Sequence, residues 1–224
     1  KYNRWNAEYR PYLFNTLQFT DGMIADFTSL SKISTQVEHS ILRKVHECSR
    51  LAMFCGKNGR LLYYHDAPRY FLRFMAKPPY FYSDKHGEQV SVHIKSLQVE
   101  RNYDTIASVL NSSLYYFWFV AFSSCRNLAS RDILNFRVKE TQLPNDLIDS
   151  LYLDLGQKSI RKTCFYKATG KVVYDEYYPK YSKIIIDRID ELLAKHYGFT
   201  EEELDFIINY DIKYRMGDEL NDDT

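Results

Sequence analysis

The stretch from Leu114 to Phe122 reads LYYFWFVAF and is the longest apolar run in the chain. A helix here has no charged face to offer to water, so the rest of the protein has to enclose it. The run is shorter than the roughly 18 apolar residues a membrane span requires. The chain must therefore supply a core around it. Its 224 residues suffice for one domain, or for one domain with an appended arm. With 45% hydrophobic and 26% charged residues, and only 8 Gly and 6 Pro, the composition is that of a soluble globular chain.

Periodicity places other elements around that run. Thr35-Gln36-Val37-Glu38 fits a capping box. Val37, Ile41, Val45, Cys48 and Leu51 then recur at helical spacing, with Gly56 as the stop. Asn58-Gly59 reads as a tight turn between two strand-like stretches, the second at Leu61–Tyr64. Tyr70–Phe74 reads as a strand, Lys85-His86-Gly87 as a turn, and the alternation of Val90, Val92 and Ile94 as a half-buried strand. Helical spacing returns at Ile106, Val109 and Leu110, and Leu134, Phe136 and Val138 alternate as a short strand. Pro144 opens a helix to about Ile160, and Thr169-Gly170 is a turn. A helix capped by Ser182 ends at Gly198, and Thr200–Glu203 is a second capping box ahead of Leu204, Ile207 and Ile208. Residues 1–33 carry aromatics around Pro11 and a turn signal at Asp21-Gly22 without periodicity, and the acidic tail 218–224 reads as frayed. The class is α+β: a small mixed or antiparallel sheet flanked by helices, with a helical C-terminal arm.

The formal net charge of +1 hides a division. Residues 1–140 hold 19 Lys+Arg and 12 Asp+Glu, a net of +7, whereas residues 141–224 hold 11 and 17, a net of −6. The break near Thr141 separates a core, 1–140, from a helical arm, 141–224. A basic face suits a polyanion; an acidic helical tail suits packing or spacing. Four well-separated cysteines without a CxxC pair fit a reduced, cytoplasmic compartment. Six histidines form no HxH or HExxH pattern, so no metal site is expected, and no GxSxG marks a nucleophile.

Basic residues do interleave with aromatics. One patch runs Arg69, Tyr70, Arg73, Lys77, Tyr80, Tyr82, Lys85 and His86; a second holds Lys95 and Arg101; a third is Arg126-Asn127 with Arg131. Arg and Asn read base edges bidentately, and Lys suits phosphates. Lys77, Lys85 and Lys95 are therefore candidate phosphate contacts. Arg69, Arg73, Arg101, Arg126, Asn127 and Arg131 are candidates for base edges or backbone. The competing reading is a solvated face with snorkelling charges. The 20 Tyr fit either a wet binding surface or a tyrosine-rich core.

Three segments carry a resemblance. Tyr177–Asp187 continuing through His196–Gly217 resembles the terminus of Eco57I-like N6-adenine DNA methyltransferases, many of them fused to an endonuclease (type IIG restriction–modification). Ser34–Val45 resembles the opening of that family's target-recognition domain. Val109–Trp118, with Leu110-Asn111-Ser112-Ser113-Leu114, is similar to a helix of these domains and of the TaqI-like specificity domain. The resemblance implies a target-recognition domain that binds double-stranded DNA in the major groove. It also implies an N-terminal methyltransferase domain, elsewhere in the parent chain, that holds S-adenosylmethionine and flips the adenine. The start Lys1-Tyr2-Asn3-Arg4, without Met, agrees with a piece of a larger bacterial protein.

The family's catalytic motifs fail here. Lys77-Pro78-Pro79-Tyr80 imitates the methyltransferase motif, but Lys77 only donates where the chemistry needs an acceptor. Phe54–Gly59 faintly resembles the cofactor's Gly-rich loop with its third glycine displaced. Neither catalytic, cofactor nor metal residues are expected in this piece. Two other classes stay open: a protein-interaction or scaffold module, and an enzyme with dispersed catalytic residues.

Overall fold

A computed structural model describes residues 30–217 apart from Thr141, together with Glu8, Pro11, Tyr12 and Asn15. The turn signal at Asp21-Gly22 and the acidic tail lie outside the described residues. The fold is α+β with a helical C-terminal arm. Helix α1 (Gln36–His46) begins at the expected capping box: Thr35 Oγ1 accepts from the Glu38 N–H, and Glu38 accepts from the Thr35 N–H. It buries Ile41, Leu42 and Val45. The helix ends ten residues before Gly56; Cys48 lies half-buried beyond it, and Leu51 is buried in a following 3₁₀ turn. After α1 come strand β1 (Ser49–Arg50), a 3₁₀ turn (Leu51–Phe54) and the long strand β2 (Cys55–His65).

Asn58-Gly59 is not a hairpin turn. β2 runs through it with a register shift, in which both Cys55 and Arg60 stand opposite Val99. A Cβ at Gly59 would lie 2.3 Å from the Val99 carbonyl carbon, so only glycine lets the bulged backbone pass that close. β2 sits between β3 (Phe74–Met75) and β6 (Ile94–Val99) in an antiparallel sheet. The strand expected at Tyr70–Phe74 is thus confined to its end, and the expected alternation is displaced: Val90 and Val92 are exposed and precede β6.

Helix α2 (Tyr103–Leu110) leads through Asn111-Ser112 into α3 (Ser113–Phe122), which carries the apolar run from Leu114. Its residues are buried except for the partly covered Val120 and Phe122. Burying each large side chain contributes about 1.5–3 kcal/mol. No single helix among the described residues is long and apolar enough to cross a membrane; α2 and α3 are bent by 64°. After α4 (Ser130–Leu134), β7 (Arg137–Val138) pairs with β1. Next come α5 (Asn145–Gln157), β8 (Ile160–Tyr166), β9 (Gly170–Glu176) and a 3₁₀ turn (Pro179–Ser182), and then α6 (Lys183–Tyr197), α7 (Glu201–Ile208) and α8 (Ile212–Met216). α6 ends at left-handed Gly198 as expected, whereas Ser182 makes no capping hydrogen bond.

Both the core and a sheet cross the 140/141 boundary drawn from charge. Strand β4 (Phe81–Ser83) pairs with β5 (Gly87–Glu88) on one side and with β9 on the other, giving the order β5-β4-β9-β8. α7 packs on α1 and α3, and α5 and α6 pack on α2. Lys44 of α1 donates to Glu203 Oε2 at 2.6 Å and to the Gly198 carbonyl at 2.8 Å. Asp190 of α6 accepts from the N–H groups of Ser113 and Leu114, at the N-terminus of α3.

Candidate nucleic-acid interface

Two adjoining clefts, of about 630 and 720 Å³, open where the β2-centred sheet meets the β4–β9 sheet. Both are within the range of ligand sites. They share His65, Arg73, His93, Tyr174 and Asp175. Local chemistry explains how these come together. His65 ends β2 and pairs with Ile94 of β6, which puts His93 beside it; the two imidazoles stack at 5.7 Å. Arg73 directly precedes Phe74, and Phe74 is pinned from the core. Asn111 Oδ1 accepts from the Phe74 N–H at 3.0 Å, and Asn111 Nδ2 donates to the Phe74 carbonyl at 2.9 Å. The asparagine of the Leu110–Leu114 segment thus acts as a surrogate strand partner. Asp175 arrives on β9 from the other side of the chain.

The electrostatics favour an anion. The clefts are lined by the cations Arg69, Arg73 and Lys180, by the buried Arg215, whose charge faces Asp190 and Asp187, and by two carboxylates, Asp175 and Glu176. Both carboxylates are already committed across the β8–β9 hairpin. Arg161 grips Asp175 bidentately at 2.9 and 3.2 Å, and Lys162 pairs with Glu176. Lys162, then Tyr178, hold Glu176 below the usual carboxylate range, and Arg69 adds to this. Arg73 stacks on the Tyr177 ring at 4.4 Å. It has no hydrogen-bonded or ion-paired acceptor among the described residues. Burial pulls its pKa down to about 10, so it stays charged at neutral pH.

The expected residues divide in space. Arg69 and Arg73 lie on the β2–β3 connection and line the clefts. Lys95, on β6, is spent locally: it lies 3.7 Å from Asp66 and donates to the Val92 carbonyl. Arg126 and Asn127 are exposed on a loop that the Leu128 N–H ties to the Asp66 carbonyl, next to the same region. Lys77 and Lys85 are exposed on the connections flanking β4. Arg101 and Arg131 belong elsewhere, around the Leu51–Phe54 turn. Arg101 donates to the Met53 carbonyl and covers the Phe54 ring, α4 packs on that turn, and Arg131 lies 3.5 Å from Asp132.

Sequence reasoning missed His65, His93, Tyr174, Tyr177 and Tyr178. The histidines lie far apart in the sequence and meet only through strand register. The tyrosines do both jobs the composition allowed. Tyr64, Tyr103, Tyr115, Tyr116 and Tyr197 are buried, while Tyr70, Tyr80, Tyr166, Tyr174, Tyr177 and Tyr178 line the clefts.

The Gly56–Gly59 stretch does not fit S-adenosylmethionine. A Cβ at Gly56 would lie 2.2 Å from the Glu100 carboxylate, and Gly59 is closed off by Val99, so the glycines face β6 rather than a vacant cradle. Among the described residues no cluster of three or more His, Cys, Asp or Glu could hold a metal ion. No protein-family model matches the chain, and no curated protein or solved structure matches it.

Proposed function

We propose that the chain is a DNA-binding recognition module: the target-recognition region of an adenine-specific DNA methyltransferase of the type II restriction–modification kind. S-adenosylmethionine and catalysis belong to a separate N-terminal domain of the parent protein. The observation that carries the DNA reading is the pair of aromatic-lined clefts, where the exposed Arg69 and the half-buried Arg73 lack committed acceptors among the described residues while Asp175 and Glu176 are neutralised by β8. Such a surface attracts phosphates by charge and offers rings for contact with sugars and bases. The methyltransferase assignment rests on the three sequence resemblances. Fluorescence anisotropy of the protein with random-sequence duplex DNA over a salt series tests the DNA reading. Affinity that falls linearly in log–log against salt supports it.

A second reading has its own observation. β8 is the outer strand of its sheet and exposes Ile160, Phe165 and Tyr166. An open edge with apolar side chains suits β-strand addition by a protein partner. Indifference to DNA at low salt, with self-association, favours that scaffold role.

A further inference from the structure

The junction of the two clefts is built around one cation that nothing in the described fold uses. The Arg73 guanidinium rests on Tyr177 and lines both clefts, yet no described carboxylate or carbonyl accepts from it. His65 lines both clefts as well. The Ala67 N–H donates to His65 Nδ1 at 3.0 Å, which fixes the imidazole proton on Nε2 and makes that atom a donor. Of the carboxylates nearby, Asp175 is held by Arg161, and Asp66 lies 3.9 Å from His65 Nδ1, 3.3 Å from His93 Nδ1 and 3.7 Å from Lys95, with its buried Oδ1 accepting no hydrogen bond among the described residues. A planar guanidinium beside an imidazole donor, with no described carboxylate accepting from the guanidinium, matches the oxygens of a phosphate group. The first cleft continues from this point past Tyr80 and Tyr174 to Ser83 and Gln89, with a volume that fits a nucleotide.

We propose that the cleft junction is a phosphate-binding subsite, in which Arg73 supplies the fixed charge and His65 Nε2 a hydrogen bond. This deepens the nucleic-acid reading and rests on it for the source of the phosphate, a DNA strand rather than a free mononucleotide. The groups facing His65 are Asp66, Arg73, His93, Tyr174 and Asp175. Burial first, then Arg73 and His93, hold His65 below its ordinary pKa against Asp66. A phosphate bound at Arg73 reverses that balance.

The test is an NMR pH titration of His65 and His93 in the whole chain, wild type and Arg73→Gln. It is run without ligand, with inorganic phosphate and with random-sequence duplex DNA, while anisotropy reads DNA binding independently. Both ligands are expected to raise the wild-type His65 pKa by about 1, and R73Q is expected to remove the response. The wild-type titration decides by itself if R73Q does not fold. A response to phosphate without any DNA binding upholds the subsite and removes the nucleic-acid reading. DNA binding that leaves His65 unmoved, with no response to phosphate, overturns the subsite and keeps that reading. No response and no DNA binding overturn both.

Discussion

Replacing Asp190 with Asn should change how stability depends on pH, in a direction the structure fixes. Asp190 is 2% exposed; it accepts from the Ser113 and Leu114 N–H groups and lies near Arg215, whose guanidinium donates to Ser113 Oγ at 3.0 Å. Burial outweighs the Ser113 hydrogen bond and the Arg215 charge, and raises the carboxyl from its ordinary 3.8 to about 6. A raised folded-state pKa means that the native state holds the proton more tightly than the unfolded chain. Stability from this group is therefore greatest below pH 3.8 and declines until the pH passes about 6. At about 1.4 kcal/mol per pH unit, the difference amounts to about 3 kcal/mol. Asn at this position cannot ionise and lacks the decline. Urea unfolding of wild type and D190N at pH 4 and pH 7 should show wild type losing about 2.5 kcal/mol relative to the variant, most of the full difference, since the unfolded carboxyl is already partly ionised at pH 4. Parallel pH profiles would refute the reasoning, because they would mean that Arg215 and the α3 N-terminus keep the carboxylate charged throughout.

Two more outcomes follow from contacts that build the site. Asn111→Ala removes three side-chain hydrogen bonds, two to Phe74 and one to Ala107, and leaves the Phe74 main chain short of partners; chemical denaturation should show a loss of about 2–4 kcal/mol. Gly59→Ala forces a Cβ to 2.4 Å from the Val99 carbonyl oxygen, so the β2 bulge has to open; thermal unfolding should show a clear drop in Tm, whereas Gly156→Ala, in open space on α5, should not.

Much of the helical framework was legible in the sequence, because its signals are local. The two capping boxes sit at Thr35 and Thr200, and the left-handed Gly198 ends α6. The apolar run at 114–122 had only one way to satisfy itself. The β8–β9 hairpin was legible only as its Thr169-Gly170 turn. β8 is mostly exposed, so its residues show no half-buried alternation, and the partner that completes the sheet, Phe81–Ser83, is remote in sequence. The charge division misled for the same reason: a strand pairing ignores how acids and bases are distributed along a chain. At the candidate interface Arg69 and Arg73 were found because basic and aromatic residues alternate there. His65 and His93 were not, since only the β2–β6 register joins them. Arg101 and Arg131 carried the right residue type, but the fold turns them toward Met53 and Asp132.

The central claim is that the cleft face binds DNA, and paired charge reversals test it most directly. Anisotropy with duplex DNA over a salt series compares Arg69→Glu, at the clefts, combined with Arg126→Glu, on the exposed loop beside them, with Arg101→Glu/Arg131→Glu, around the Leu51–Phe54 turn. The account predicts that the first pair loses at least about tenfold in affinity and flattens the salt slope by about 2, while the second pair binds much as wild type does. Equal losses from both pairs, or no binding by the wild type at low salt, would contradict it.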